Sequence, residues 1–245
     1  MSQEYVLITG SSKGLGRLLA NEFARNGYGV ILHGRNKGRL EETMSEVIAY
    51  GYGVSYVLGD LKEDKTIKDL VEKASDMDIS VLINNAADSR AGISFEEWAY
   101  TEIQGNLQTN LIAPILITRG VYDLFLRRGS GSVINMNSVF SLETKGGSIP
   151  YSASKWGLRG FSDVLRAEGK QHGIRVMDVY PTKIRLDDGT YGMDGKEVAE
   201  KIFKSFQDPK IEGIFLDGRP DEFKPKGPES GIKEGLERVT ILKKS

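Results

Sequence analysis

Short apolar runs rich in Val, Ile and Tyr alternate with longer amphipathic stretches along nearly the whole chain. The runs are YVLIT from Tyr5, GVILH from Gly29, GVSYVL from Gly53, ISVLIN from Ile79, GSVINM from Gly131, IRVMDVY from Ile174 and GIFLD from Gly213. Most lack the apolar–polar alternation of a half-exposed strand, as strands covered on both faces do. Helix-length segments lie between them: 14–26, 37–50, 64–76, 95–127 in two pieces, 151–172 and 195–207. Strand, helix, strand in succession implies parallel pairing through right-handed crossovers. The expectation is an α/β fold, a doubly wound seven-stranded parallel sheet with helices on both faces, formed by residues 1–218 as one domain. Three of the seven Pro fall at 220, 225 and 228. Residues 219–245 therefore read as a tail: an extended linker, then a weak helix or edge strand, either floppy or a docked arm.

Composition removes several functions. The 245 residues hold 33 Lys+Arg against 34 Asp+Glu, no Cys, and two His, His33 and His172. Zero Cys excludes disulfides, thiolate metal sites and a cysteine nucleophile. Two His far apart in sequence argue against a zinc centre, so no metal is expected. A net charge of −1 lacks the basic excess of a nucleic-acid binder. The longest apolar stretch, around 111–118, is far short of the ~20 residues of a membrane span. With no basic region followed by an apolar block at the N-terminus, the chain reads as cytoplasmic, with neither nucleic acid nor membrane as partner.

The first strand runs into TGSSKGLG, with Gly10, Gly14 and Gly16, and then into a helix-like RLLANEFARNG. Glycines let a backbone approach a pyrophosphate, and a helix N-terminus favours its negative charge. The spacing is G-x3-G-x-G, and no GK[ST] follows, so an ATP-type loop is unsupported. The second strand ends HGRN, where an NAD-binding fold would carry an acid for the ribose hydroxyl. Arg35 at that place, with Lys13 in the loop, suits a 2′-phosphate. NADP(H) is therefore favoured, with NAD(H) the alternative.

Tyr151 and Lys155 in YSASK share one helix face at i, i+4. A phenol with pKa ~10 is a poor acid–base group alone, and a neighbouring ammonium would lower it. Ser138 lies upstream at the end of the apolar strand GSVINMNS, where ligands gather in open parallel sheets.

These motifs together resemble the short-chain dehydrogenases/reductases, over about residues 4–218. TGSSKGLG resembles that family's cofactor loop. The resemblance implies a Rossmann fold with Gly10, Ser11, Ser12, Lys13, Gly14, Leu15, Gly16, Arg35, Asp60, Leu61, Asn84, Ala86, Tyr151, Lys155, Pro181 and Ile184 at the cofactor. Asp60 would contact adenine, Asn84 of NNAA would steady the central sheet, and Pro181 would lie beside the nicotinamide. Asn110, Ser138, Tyr151 and Lys155 match the catalytic positions. By resemblance, Tyr151 exchanges the proton, Ser138 holds the substrate oxygen, Lys155 binds the nicotinamide ribose and lowers the Tyr151 pKa, and Asn110 supports a proton-relay water. Asn106 rivals Asn110 but fits less well and reads as an exposed polar residue of a helix.

The sequence departs from the family at Ala87, Thr182 and Leu186, and only 14 residues, 182–195, separate Pro181 from the next helix. So short a lid implies an open pocket, or one completed by another subunit or the tail. Candidate pocket residues are Asp88, Phe140, Glu143, Thr144, Lys145, Lys183, Arg185 and Tyr191, and they name no substrate. Trp156, Gly157 and Gly160 fit a helix packed on another helix, which implies a homodimer or homotetramer. The expected activity is hydride transfer between NADP(H) and a carbonyl/alcohol pair, in the reductive direction. The alternatives are an epimerase or dehydratase variant and a cofactor-sensing or interaction protein on the same fold.

Overall fold

The computed structural model describes residues 3–90, 92–143, 146–186 and 191–219, and the backbone of 240–243. In chain order the strands are β1 (Tyr5–Ile8), β2 (Gly29–Gly34), β3 (Val54–Leu58), β4 (Ile79–Asn84), β5 (Gly131–Met136), β6 (Ile174–Pro181), β7 (Ile184–Arg185), β8 (Met193–Asp194), β9 (Gly213–Asp217) and β10 (Thr240–Lys243). All seven expected strands lie in one parallel sheet, ordered β10-β9-β6-β5-β4-β1-β2-β3. The addition is β10, which pairs in parallel with β9 at the edge. Of the expected tail, these four residues form an edge strand, and 220–239 lie outside the described residues. β7 and β8 form a separate short pair.

The helices are α1 (Gly14–Arg25), α2 (Lys37–Ile48), α3 (Asp64–Ser75), α4 (Tyr100–Leu107), α5 (Ala113–Arg128), α6 (Ile149–Gly169) and α7 (Gly195–Gln207). The sheet separates two cores. Val6 and Ile8 of β1 join Leu19 and Phe23 of α1 and Ile202 of α7, whereas Leu7 joins Leu70 of α3 and Ile117 and Phe125 of α5. This is the period of two along a strand, buried on both sides. Each such side chain contributes roughly 1.5–3 kcal/mol by leaving water. Phe23 and Phe203 meet edge to face at 4.9 Å and join α1 to α7.

The segment expected as two pieces over 95–127 has a further break. A 3₁₀ turn at Phe95–Glu97 precedes α4, and a π turn at Gln108–Ile112 links α4 to α5. Pro114 explains the π turn. It has no N–H to return to the carbonyl of Asn110 four residues earlier, and the Ala113 amide reaches back to Gln108 instead.

Strand order reverses between β1 and β4, so the connections leave their carboxyl ends in opposite directions. A groove opens at such a point, and ligands of doubly wound sheets bind there.

Candidate active site

The groove has a volume of about 1570 Å³ and runs along the carboxyl ends of β1, β2 and β4. Gly10, Ser12, Lys13, Gly14, Leu15 and Gly16 form its floor. Gly10 adopts φ +67°, and a Cβ there would lie 2.8 Å from the Ala86 Cα. A Cβ on Gly16 would meet the Gly10 carbonyl oxygen and come within 2.5 Å of Asn85 Nδ2. The turn thus lies flat against the loop after β4, as a backbone that must approach a phosphate requires. Lys13, the N-cap of α1, caps it with no side-chain hydrogen bond, and the first turn carries no acid. The amides at this helix start suit a pyrophosphate, so the floor fits the dinucleotide expected from sequence.

Two supports hold the floor. Thr9 Oγ1 accepts hydrogen bonds from the Asn85 and Ala86 amides, and Asn85 Nδ2 donates to the Thr9 and Gly10 carbonyls. Beneath the turn, buried His33 Nδ1 accepts from the Gly10 amide at 3.1 Å, and Nε2 lies 3.2 Å from the Gly59 carbonyl. Nε2 therefore carries the proton, and the imidazole is neutral. Burial pushes its pKa down to about 4, against opposing pulls from the Gly59 hydrogen bond and Asp60. Ser11 turns inward, donating to the Ile8 carbonyl and accepting from the His33 amide.

At the adenosine end, Arg35, Asp60 and Leu61 line the groove. The Arg35 guanidinium is well exposed and lies 3.3 Å from Asp60. Such a pair is weak in water and easily opened by a ligand. Arg39 and Lys13 line the same end, whereas Arg17 is bound to Glu42 and Glu46.

None of Asn110, Ser138, Tyr151 and Lys155 lines that groove; beyond the carboxyl end of β5, Ser138 meets Tyr151 and Lys155 of α6. Ser138 follows β5 and caps the 3₁₀ turn at Val139–Ser141, its Oγ accepting from the Phe140 amide. Burial raises the Tyr151 pKa, and the Ser138 hydrogen bond partly offsets this. The expected lowering of the phenol by Lys155 is not what the structure gives. The Lys155 ammonium is buried and donates to the Met136 carbonyl at 2.7 Å, and it sits 5.5 Å from the Tyr151 ring centre. Its own pKa is pushed down to about 8, by burial, against the attraction of Asp178.

Asn110 lies in the π turn, accepts from the Asp88 amide at 2.7 Å and donates to the Asp88 carbonyl at 2.9 Å. Asn106 is fully buried, which corrects the exposed position expected for it. It accepts from Asn110 Nδ2 and donates to the same Asp88 carbonyl. The two asparagines fix the loop carrying Ala86–Asp88, which borders the groove. Asn84 turns away from the groove and donates to Thr118 and Asn135; its neighbour Asn85 faces the floor.

Of the other candidates, Pro181 ends β6 and Ile184 starts β7, while Leu186 lines the groove and approaches Gly14. Thr182 is bonded to Leu216 and Asp217. Phe140 meets Tyr151 edge on at 5.6 Å. Glu143 pairs with Arg219, Asp88 with Arg90, and Arg185 with Asp194; Lys183 lies over the Tyr191 ring. Thr144 and Lys145 lie outside the described residues. Gly157 packs on Leu111 of the π turn, whereas Trp156 and Gly160 face outward. Among the described residues no group of acidic or imidazole side chains could hold a metal, and no helix is long and apolar enough to cross a membrane. Sequence reasoning did not pick out His33, Thr9 or Asn85. Only Asn85 had a signal, as the second residue of the NNAA motif.

A doubly wound sheet with a glycine turn at its switch point and a Ser–Tyr–Lys cluster at one edge defines a dinucleotide-dependent enzyme. The family model described as short chain dehydrogenase matches residues 4–189. The ketoacyl reductase HetN of Nostoc sp. is 33% identical over 85% of this chain and 69% of its own length. A short-chain dehydrogenase from Sphingobium yanoikuyae, solved in complex with NADPH, superposes with a TM-score of 0.79 at 26% identity, covering 87% of each chain. The bulky-bulky ketone specific alcohol dehydrogenase from Comamonas testosteroni gives a TM-score of 0.82 at 26% identity, covering 90% of this chain and 88% of its own. The chain belongs to the short-chain dehydrogenase family and is an oxidoreductase that transfers hydride with NAD(P).

Proposed function

We propose that the chain is an NADP(H)-dependent reductase of a small-molecule carbonyl, with Tyr151 as the acid. The observation that carries this is the buried Lys155 ammonium, which donates to the Met136 carbonyl at the end of β5 and sits 5.5 Å from the Tyr151 ring centre, beside Ser138. The glycine floor would hold the pyrophosphate, with Arg35 and Lys13 on the 2′-phosphate and Lys155 on the nicotinamide ribose. When bound, NADPH supplies the hydride. Ser138 donates a hydrogen bond to the carbonyl oxygen and fixes it for attack. Tyr151 gives that oxygen its proton as charge develops there. A phenol raised by burial keeps its proton at neutral pH, which suits an acid in reduction. Asn110, whose carbonyl has no amide at Pro114 to bind, would support a water that returns the proton.

A panel of ketones and aldehydes, followed by loss of reduced-nicotinamide absorbance, tests the activity; no turnover on any member with cofactor bound would favour the sensing alternative. Arg35→Ser is expected to weaken NADPH about 10–100-fold while leaving NADH within about threefold, as loss of a charge-assisted fork requires. Equal loss for both cofactors would remove the 2′-phosphate assignment.

The same reading extends to assembly. Trp156 and Val164 on α6 are 48% and 59% exposed, and a Cβ on Gly160 between them would meet open space. This apolar face of α6 is proposed as the contact of a homodimer or homotetramer. Sedimentation should show the wild type as an oligomer and Val164→Glu as a smaller species. A monomeric wild type would end that proposal.

A further inference from the structure

We propose that His33, at the end of β2, is a positioning residue for cofactor binding: its Nδ1 holds the Gly10 peptide so that the turn presents its following amides to a pyrophosphate. The inference rests on the reading of the glycine turn as the dinucleotide floor, and it concerns the part of the ligand that NADP and NAD share.

His33 is only 2% exposed. Val30, Ile31 and Leu32 before it alternate between the two cores, and His33 continues the side of Ile31, which belongs to the core of Leu70 and Ile117. An apolar side chain would extend that core at less cost than a buried polar ring. The ring instead bonds to two separate loops. Nδ1 accepts from the Gly10 amide at 3.1 Å, and Nε2 donates to the Gly59 carbonyl at 3.2 Å. The second bond fixes the tautomer and the orientation of the ring, so that a lone pair faces Gly10.

Gly10 is where such a hold matters. It sits at φ +67°, with its amide on His33 and its carbonyl on Asn85 Nδ2 at 3.1 Å. The peptides on both sides of this permissive residue are thus fixed, whereas a glycine left alone has many conformations open to it. The next residues are held by the same strand end. The Ser11 amide donates to the His33 carbonyl at 2.8 Å, and Ser11 Oγ accepts from the His33 amide at 2.9 Å. Ser12 packs on Gly34, where a Cβ would come within 2.7 Å of its Oγ. These contacts do not need the imidazole; the bond to Gly10 does. Gly59 precedes Asp60, which lines the adenosine end, so the ring also sets that loop against the turn.

Two substitutions separate the two bonds of the ring. In His33→Asn, Oδ1 takes the place of Nδ1 and keeps an acceptor for Gly10. In His33→Gln, the amide nitrogen takes the place of the ring Nε2 and keeps a donor for Gly59, but nothing stands at the Nδ1 position. His33→Leu removes both. Fluorescence titration should give His33→Asn an NADPH affinity within about twofold of wild type, and His33→Gln and His33→Leu a loss of about 5–20-fold, with NADH weakened by the same factor. A structural role alone would rank the variants by their stability in urea, not by the acceptor at position 33. Wild-type affinity in folded His33→Gln and His33→Leu overturns the proposal, as does His33→Asn binding as weakly as His33→Leu. Failure of all three to fold overturns it too, since the role would then be structural. In the wild type without cofactor, imidazole nitrogen NMR shifts should report a protonated Nε2 and a bare Nδ1; a proton on Nδ1 overturns the proposal whatever the variants do. The two readings separate cleanly: a wild type that binds neither NADPH nor NADH removes the floor, whereas binding that all three variants keep removes only this inference.

Discussion

Tyr151→Phe is expected to lower turnover by about 10²–10⁴-fold while leaving NADPH affinity within about twofold, because it removes the proton donor and little else. The ring fills the same space and keeps its edge contact with Phe140 at 5.6 Å. Ser138 retains its bond from the Phe140 amide, and Lys155 retains the Met136 carbonyl, so neither neighbour needs to move. What is lost is the phenol hydroxyl beside Ser138 and Lys155. Stopped-flow reduction and a fluorescence titration of cofactor make the measurement. Turnover within tenfold of wild type would place the acid elsewhere.

The second large effect concerns acid. His33 is neutral in the fold, with its pKa pushed down to about 4 by burial. In the unfolded chain it titrates near 6.5. Between these values the unfolded state binds the extra proton, so this group's contribution to stability falls as pH drops from 6.5 towards 4, by roughly 3 kcal/mol in all. Asp178 acts in the opposite sense. Its carboxyl is raised to about 6, so from 6 downward the folded state takes up the proton first and gains. The two trends oppose each other, so a simple acid titration of the whole protein does not separate them. The difference between wild type and His33→Asn isolates the imidazole. At pH 7.5 the variant should be the less stable, and by pH 4 the gap should shrink by roughly 3 kcal/mol in urea unfolding. A gap independent of pH would mean that His33 is not held neutral by the floor.

The sheet was readable in the sequence because doubly covered strands appear as apolar runs and the crossovers as helical periods. The glycine turn was readable because only that residue tolerates such close approach. What stayed hidden depended on which side of a strand or helix a polar group faces. Asn84 and Asn85 are neighbours on opposite sides of the chain, and nothing in NNAA shows which one meets the groove. Asn106 on a short helix looks like surface until Asp88 supplies the carbonyl that justifies its burial. Arg166 and Asp178 come from different elements and carry no motif. The protonation states of Tyr151 and Lys155 followed from desolvation, which spacing cannot display. The π turn had a sign in Pro114, a residue whose missing donor is visible in any sequence.

The glycine floor has a thermodynamic consequence. Thr9, Asn85 and His33 fasten it from both sides, and the place of a Cβ on Gly16 is taken up by the Gly10 carbonyl and Asn85. Its amides are therefore ordered when the chain folds, before any dinucleotide arrives. Ligand capture then spends little conformational freedom of the receptor, and what affinity there is goes into discrimination between cofactors instead of into freezing a loop.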